Sequence, residues 1–249
     1  MRLVILQTGD TSPEIAARHG GYAQLFMDAL APTGATLSVV DAAAGAPLPA
    51  RGAVDAAVIT GSPASVTEPE PWVEALAAWT RQAMQDGLPI LGVCYGHQLI
   101  AWAQGGEVQV SDRGMELGTV PVTLTPEGAA DPLLGPLAGE APVFHAVHGD
   151  VVTRLPPGAV RLAENAHTPN QAFRLGDRTW GVQFHPEFTA PMMAELVELR
   201  AERLLRMARA AGLDPDAALA AARRSLAPTP AGPHLLQRFV AVARDRVGA

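Results

Sequence analysis

The chain has 249 residues, enough for one large α/β domain or for one domain with an extension. Hydrophobic residues make up 48%, which suffices for a full core, and charged residues 17%, which argues against global disorder. The net charge of −7 argues against nonspecific binding to nucleic acid or to an anionic membrane, and no stretch reaches the ~18 apolar residues of a membrane span.

All 18 basic residues are arginine, so a Schiff-base lysine and a phosphate-loop lysine are both excluded. The single cysteine, Cys94, cannot form an internal disulfide, which fits a reducing, cytoplasmic setting. Met1–Gln7 is too short and too soon polar for a signal peptide and reads as a first buried strand over Leu3–Leu6.

Strands and helices then alternate. A helix is expected over Gly21–Ala31, with Tyr22, Leu25, Phe26, Ala29 and Leu30 on one face. Strands are expected at Thr36–Val40 and Val54–Thr60, separated by a Pro/Gly/Ala-rich loop, Ala44–Arg51. A helix over Glu70–Gln85 leads to the apolar run Leu88–Val93, and a second helix follows Cys94 and stops at Gly105-Gly106. Short apolar strands with helices between them imply a largely parallel sheet, with any ligand beyond the carboxyl ends of the strands.

The pattern changes after Gly106. Glu107–Val110, Gly118–Thr125, Pro142–Val147, Val160–Glu164, Gln171–Leu175 and Thr179–Phe184 read as short strands of a mixed or antiparallel region that closes over the site. Beyond Phe188 the chain turns helical: Pro191–Ala211, then a helix capped by Asp214 with Pro215 at its first position. A linker at Pro228–Pro233 precedes a last helix, about His234–Val247. The expected fold is α/β in three layers: a largely parallel central sheet flanked by helices, with a mixed strand region. Residues 1–190 form the domain, and residues 191–249 a helical extension packed on it or at a contact between subunits. Arg200, Arg203, Arg206 and Arg209 recur at a spacing of three, and Glu195, Glu198 and Glu202 on the same helix are expected to pair with them in a solvated face.

Cys94 lies in Gly-Val-Cys-Tyr-Gly-His-Gln, between a strand and a helix. Glycines two before and two after it permit a sharp bend and close approach of the two elements. The first turn of the following helix points free N–H groups at the thiol and favours the thiolate, the nucleophilic form. A base is needed to take the thiol proton, and an acid to orient the base. His185-Pro186-Glu187 supplies both at the end of another apolar run, because residues two apart in extended chain point the same way. Gln98 lies one helical turn after Cys94 and faces the same side, placed to hold an α-amino or carboxylate group. His145 and His148 fall on opposite faces of a strand and no further ligand completes a metal site, so neither a metal nor another cofactor is expected.

With Thr60-Gly61-Ser62-Pro63 and Val147-His148-Gly149-Asp150, these segments make the chain resemble the class I glutamine amidotransferase family over residues 1–190. The resemblance implies cysteine-dependent hydrolysis of the side-chain amide of glutamine or of a γ-glutamyl compound. It makes Cys94, His185 and Glu187 the triad. It assigns the oxyanion-binding N–H groups to Tyr95 and to the Gly61-Ser62 turn, and a second substrate wall to Gly149 and Asp150. The chain departs from the family's Gly-Gly-Pro turn at Ser62, and serine tolerates a positive φ less well than glycine. Such enzymes pass ammonia to a second active site, and this chain has no nucleotide-binding signature. Three roles stay open: the glutaminase subunit of an ATP-using synthetase partner, a free-standing γ-glutamyl hydrolase or peptidase, or a binding module on the same fold.

Overall fold

The structure is a computed structural model and describes residues 1–68, 70–139 and 142–247. Its elements run β1 (Arg2–Gln7), α1 (Pro13–His19), α2 (Tyr22–Leu30), β2 (Thr36–Asp41), β3 (Ala56–Ile59), α3 (Pro71–Gln85), β4 (Ile90–Val93), α4 (Tyr95–Ala103), β5 (Glu107–Val110), β6 (Glu116–Pro121), β7 (Thr123–Leu124), α5 (Pro126–Ala129), β8 (Val143–His148), β9 (Asp150–Arg154), β10 (Ala159–Glu164), β11 (Ala172–Leu175), β12 (Thr179–Val182), α6 (Ala190–Ala210), α7 (Pro215–Ser225) and α8 (Ala231–Val247).

The main sheet has the order β2-β1-β3-β4-β12-β11-β10-β7. From β2 to β12 the pairings are parallel; β12, β11, β10 and β7 continue it antiparallel. Every residue of β3, β4 and β12 is buried, as expected of parallel strands covered on both faces. Leu3, Ile5, Val58, Leu91 and Val93 share one core with Phe26 of α2 and with Leu235, Leu236 and Phe239 of α8. Val4, Leu6, Ala57, Ile59 and Ile90 face the other way, against Val73 and Leu76 of α3 and Leu99 and Ile100 of α4. This gives three layers, and the last helix lies with α2 in one of them.

Small pieces complete the molecule. β5 pairs with β9, and β6 with β8, as two separate antiparallel ribbons. The expected single strand Gly118–Thr125 is split, because β6 pairs with β8 whereas β7 pairs with β10. α1 and β9 were not anticipated. α1 has the Ser12 cap and Pro13 that mark a helix start, but its seven residues bury only Ile15, so no apolar stripe announces it. α8 begins at Ala231 and not at His234. Pro233 sits in its first turn, where a missing N–H costs nothing. Thr189 and Asp214 cap α6 and α7 by accepting from the Met192 and Ala217 N–H groups.

Candidate functional site

Cys94 stands between β4 and α4 at φ 51°, ψ −97°. It is the non-glycine residue with a positive φ among those described. Such a conformation costs on the order of 1–3 kcal/mol and persists only where the surroundings impose it. Here they do. The Cys94 N–H donates to the Val182 carbonyl at 2.8 Å, tying the bend to β12. A Cβ on Gly92 would lie 2.4 Å from the Gly96 carbonyl oxygen, and one on Gly96 would lie 2.4 Å from the Ile59 carbonyl oxygen. Both glycines are therefore needed for strand and helix to approach.

The second half of the site leaves the neighbouring strand. β12 lies parallel to β4 with Val182 opposite Val93, so the chain after each strand emerges at the same end of the sheet. His185 is fixed there by its N–H, which donates to the His145 carbonyl at 2.8 Å. Its Nδ1 lies 2.7 Å from Glu187 Oε1, with both side chains buried. Its ring stacks on Phe188 with centroids 4.0 Å apart and planes 6° from parallel. Burial works against the charged imidazolium, but the negative charges of Glu187 and Cys94 outweigh it and raise the His185 pKa to about 10. Nε2 is buried and makes no hydrogen bond among the described residues. Gly61 joins the two halves. A Cβ on it would lie 2.7 Å from His185 Cε1 and 3.6 Å from Cys94 Cβ, so a side chain there would fill the gap between them.

The structure thus brings Cys94, His185, Glu187 and Gly61 to one place. Around them, the Gly61 carbonyl accepts from the Thr8 and Thr60 hydroxyls, both at 3.0 Å. In a trans peptide the Ser62 N–H then points the opposite way. Ser62 has no positive φ, so the departure from Gly-Gly-Pro introduces no strain at that residue. Its hydroxyl instead donates to the Thr8 carbonyl at 2.6 Å. Tyr95 opens α4, where a backbone N–H has no intrahelical acceptor. The Gln98 amide donates to the Asp150 carbonyl at 2.9 Å and to Gln183 Oε1 at 3.2 Å, which leaves its own Oε1 for a ligand. Asp150 Oδ2 accepts from Ser65, so that carboxylate is engaged within the protein. Gly149 is overlain by Met207 and Arg203 of α6; Arg203 Nη2 lies 3.1 Å from where a Cβ on Gly149 would sit.

Three features escaped the sequence reading. Gln183 is fully buried and places Nε2 3.6 Å from Cys94 Sγ. Its position two residues before His185, at the end of the same strand, was the available signal. Glu116 accepts from His148 Nε2 at 2.8 Å, from Asn165 at 2.6 Å and from Gln171 at 2.7 Å. Nothing local in the sequence links these residues. Lastly, the ion pairs expected along α6 do not form. Glu195 pairs with Arg18 and His19, and Glu198 pairs with Arg223. α6 packs between α1 and α7, and these two carboxylates turn outward to those helices.

Among the described residues no group of three His, Cys, Asp or Glu side chains gathers to hold a metal, and no helix is long and apolar enough to cross a membrane. A cleft of about 560 Å³ opens at the other end of the strands, where Arg2 and Arg51 are tied to Asp55 and Asp86.

The architecture, a mostly parallel sheet between helical layers, is shared with solved glutamine amidotransferases. A crystal structure of a glutamine amido transferase from Methylobacillus flagellatus superposes with a TM-score of 0.75 at 25% identity, covering 98% of this chain and 94% of that one. One from Thermotoga maritima gives 0.71 at 20% identity, covering 100% and 99%, a likeness of fold alone. The family model of glutamine amidotransferase class-I matches residues 18–199, and the chain belongs to that family. Among relatives, a GMP synthase (glutamine-hydrolyzing) of Porphyromonas gingivalis is 39% identical over 132 residues, which is 52% of this chain but 24% of that protein. A γ-glutamyl-L-1-hydroxyisopropylamide hydrolase of a Pseudomonas species is 38% identical over 144 residues, 55% of this chain and 48% of that protein.

Proposed function

We propose that the protein hydrolyses a γ-glutamyl amide, glutamine or a γ-glutamyl compound, through a γ-glutamyl thioester on Cys94. The observation that carries this reading is the Cys94 bend facing a buried His185–Glu187 pair 2.7 Å long. Cys94 Sγ, having given its proton to His185, attacks the amide carbonyl carbon. Backbone N–H groups of Tyr95 and of the Gly61-Ser62 turn receive the oxyanion, each such donor worth ~10²–10³ in rate. The C–N bond breaks as His185 returns its proton to the departing nitrogen. Water, deprotonated by the same histidine, then cleaves the thioester and releases glutamate. Glu187 holds the imidazole and stabilises its charged form. The free Oε1 of Gln98 accepts from the α-ammonium group, and Gly149 and Asp150 wall the glutamyl head. No cofactor enters these steps, and a reducing, cytoplasmic setting keeps the thiol free.

The match to part of the GMP synthases favours a second reading, in which the ammonia goes to a separate ATP-using synthetase. The two are separated by assaying the purified protein on glutamine and on a γ-glutamyl dipeptide, alone and with lysate. Strong dipeptide hydrolysis by the protein alone supports the free-standing hydrolase. Weak glutaminase activity, raised by one co-purifying ATP-using protein, supports the synthetase pairing. No activity in any arm, with Cys94 inert to alkylation, rejects both.

A further inference from the structure

We propose that Gln183 is a further catalytic residue: its side-chain amide donates to the Cys94 sulfur, and Gln98 sets the direction of that amide. The inference rests on the hydrolysis proposed above and adds a residue to it.

The sulfur needs such a donor. Cys94 is buried and belongs to the apolar core, with Val58, Val93 and Val182. An anion among such groups is disfavoured unless something donates to it. The register that puts Val182 opposite Val93 brings the next two residues, Gln183 and Cys94, side by side. The backbone N–H of Gln183 is used, donating to the Gln171 carbonyl at 2.8 Å. Its side chain is fully buried and holds Nε2 3.6 Å from Sγ.

A primary amide could face the sulfur with either end. The NH2 group favours a thiolate, and the oxygen repels it. The surroundings fix which end is presented. The Asp150 backbone carbonyl can only accept, and Gln98 Nε2 meets it at 2.9 Å. With its nitrogen held there, Gln98 offers the same NH2 group to Gln183 Oε1 at 3.2 Å. That draws the Gln183 oxygen away from the sulfur and leaves its nitrogen facing it. The carbonyl is anchored in turn: Asp150 pairs with Val110 of β5, and His148 Nδ1 lies 3.1 Å from the same oxygen. Gln98, Gln183 and His148 are all buried, so water does not compete for these contacts.

Polarity thus runs from a backbone carbonyl through two amides to the nucleophile. Gln98 serves both ends of the site, holding the glutamyl head through Oε1 and aiming Gln183 through Nε2. The donor acts twice. It stabilises the thiolate before attack. It does so again when water cleaves the thioester, since the C–S bond breaks with its electron pair going to sulfur.

The test needs no substrate. The rate of Cys94 alkylation by iodoacetamide is measured across the pH range in which a thiol titrates, in the wild type, Gln183→Met and Gln98→Met. Methionine keeps the side-chain length and removes the donor. The titratable side chains that share this charge, His185, Glu187 and Tyr22, are the same in all three proteins. Gln183→Met should move the midpoint of the profile up by ~1 pH unit, the size of a lost hydrogen bond to an anion. Gln98→Met, which does not touch the sulfur, should move it the same way by less. In turnover of a γ-glutamyl amide, Gln183→Met should lower kcat with little change in KM, whereas Gln98→Met should raise KM as well. An unshifted midpoint in Gln183→Met overturns the donor, and an unshifted one in Gln98→Met overturns its control by Gln98. A wild-type Cys94 inert to iodoacetamide at every pH sinks the hydrolysis reading itself, and the donor with it. Should Gln183→Met fail to fold, the wild type and Cys94→Ala are compared by NMR with isotope-labelled glutamine side chains. The Gln183 NH2 resonance is expected to move when the sulfur is removed, and one that stays in place overturns the donor.

Discussion

Cys94 and His185 are held in unfavourable states by their neighbours. The cysteine pays for a positive φ, and the histidine is charged although buried. The charge gives a pH signature. The folded pKa of His185 is about 10, above its ordinary 6.5, so the stability it contributes is fully present below about pH 6.5 and is lost as pH rises through about 10. Thermal unfolding of the wild type should therefore weaken across that window, and Glu187→Gln should flatten the dependence. A profile unchanged by Glu187→Gln would show that the carboxylate does not hold the charge. In turnover, His185→Ala should cost more than Glu187→Gln, since the histidine carries both proton transfers and general acid–base help is typically ~10²–10⁴-fold.

Glu116 on β6 faces His148 on β8 and also holds Asn165 and Gln171, so one carboxylate ties the β6–β8 ribbon to the loop before β11 and to its edge. Burial alone would raise the Glu116 pKa; the His148 hydrogen bond and charge win and hold it below the usual range. Glu116→Ala leaves His148 and two amides without their partner, and chemical denaturation should show a loss of about 3–5 kcal/mol. A change under ~0.5 kcal/mol would mean that the network closes without it. Elements of this kind mark the limit of what the sequence discloses. Parallel strands announced themselves as continuous apolar runs, and Cys94 and His185 by where those runs end. The Glu116 network, the partition of β6 from β7 and the outward turn of Glu195 and Glu198 depend on residues brought together only by folding. Gln183 was visible in position but not in role, since a glutamine in a strand carries no signal until its neighbour is known to be a thiol.

The final helix completes the sheet's second layer. Leu235, Leu236, Phe239 and Val240 of α8 are essentially excluded from solvent against β1, β3 and α2. Phe239→Ala should cost ~3–5 kcal/mol, and a chain ending at residue 230 should fail to fold cooperatively. A truncated chain with an unchanged melting temperature would place α8 outside the core. The same helical region also positions the site, because α6 lays Arg203 and Met207 over Gly149. The central claim, that Cys94 carries a γ-glutamyl thioester, is tested most directly by acid-quenching the protein during turnover of a γ-glutamyl amide and mapping the adduct. A glutamyl group on Cys94, absent together with activity in Cys94→Ala, is the predicted result. An adduct on another residue, or undiminished turnover in Cys94→Ala, would contradict it.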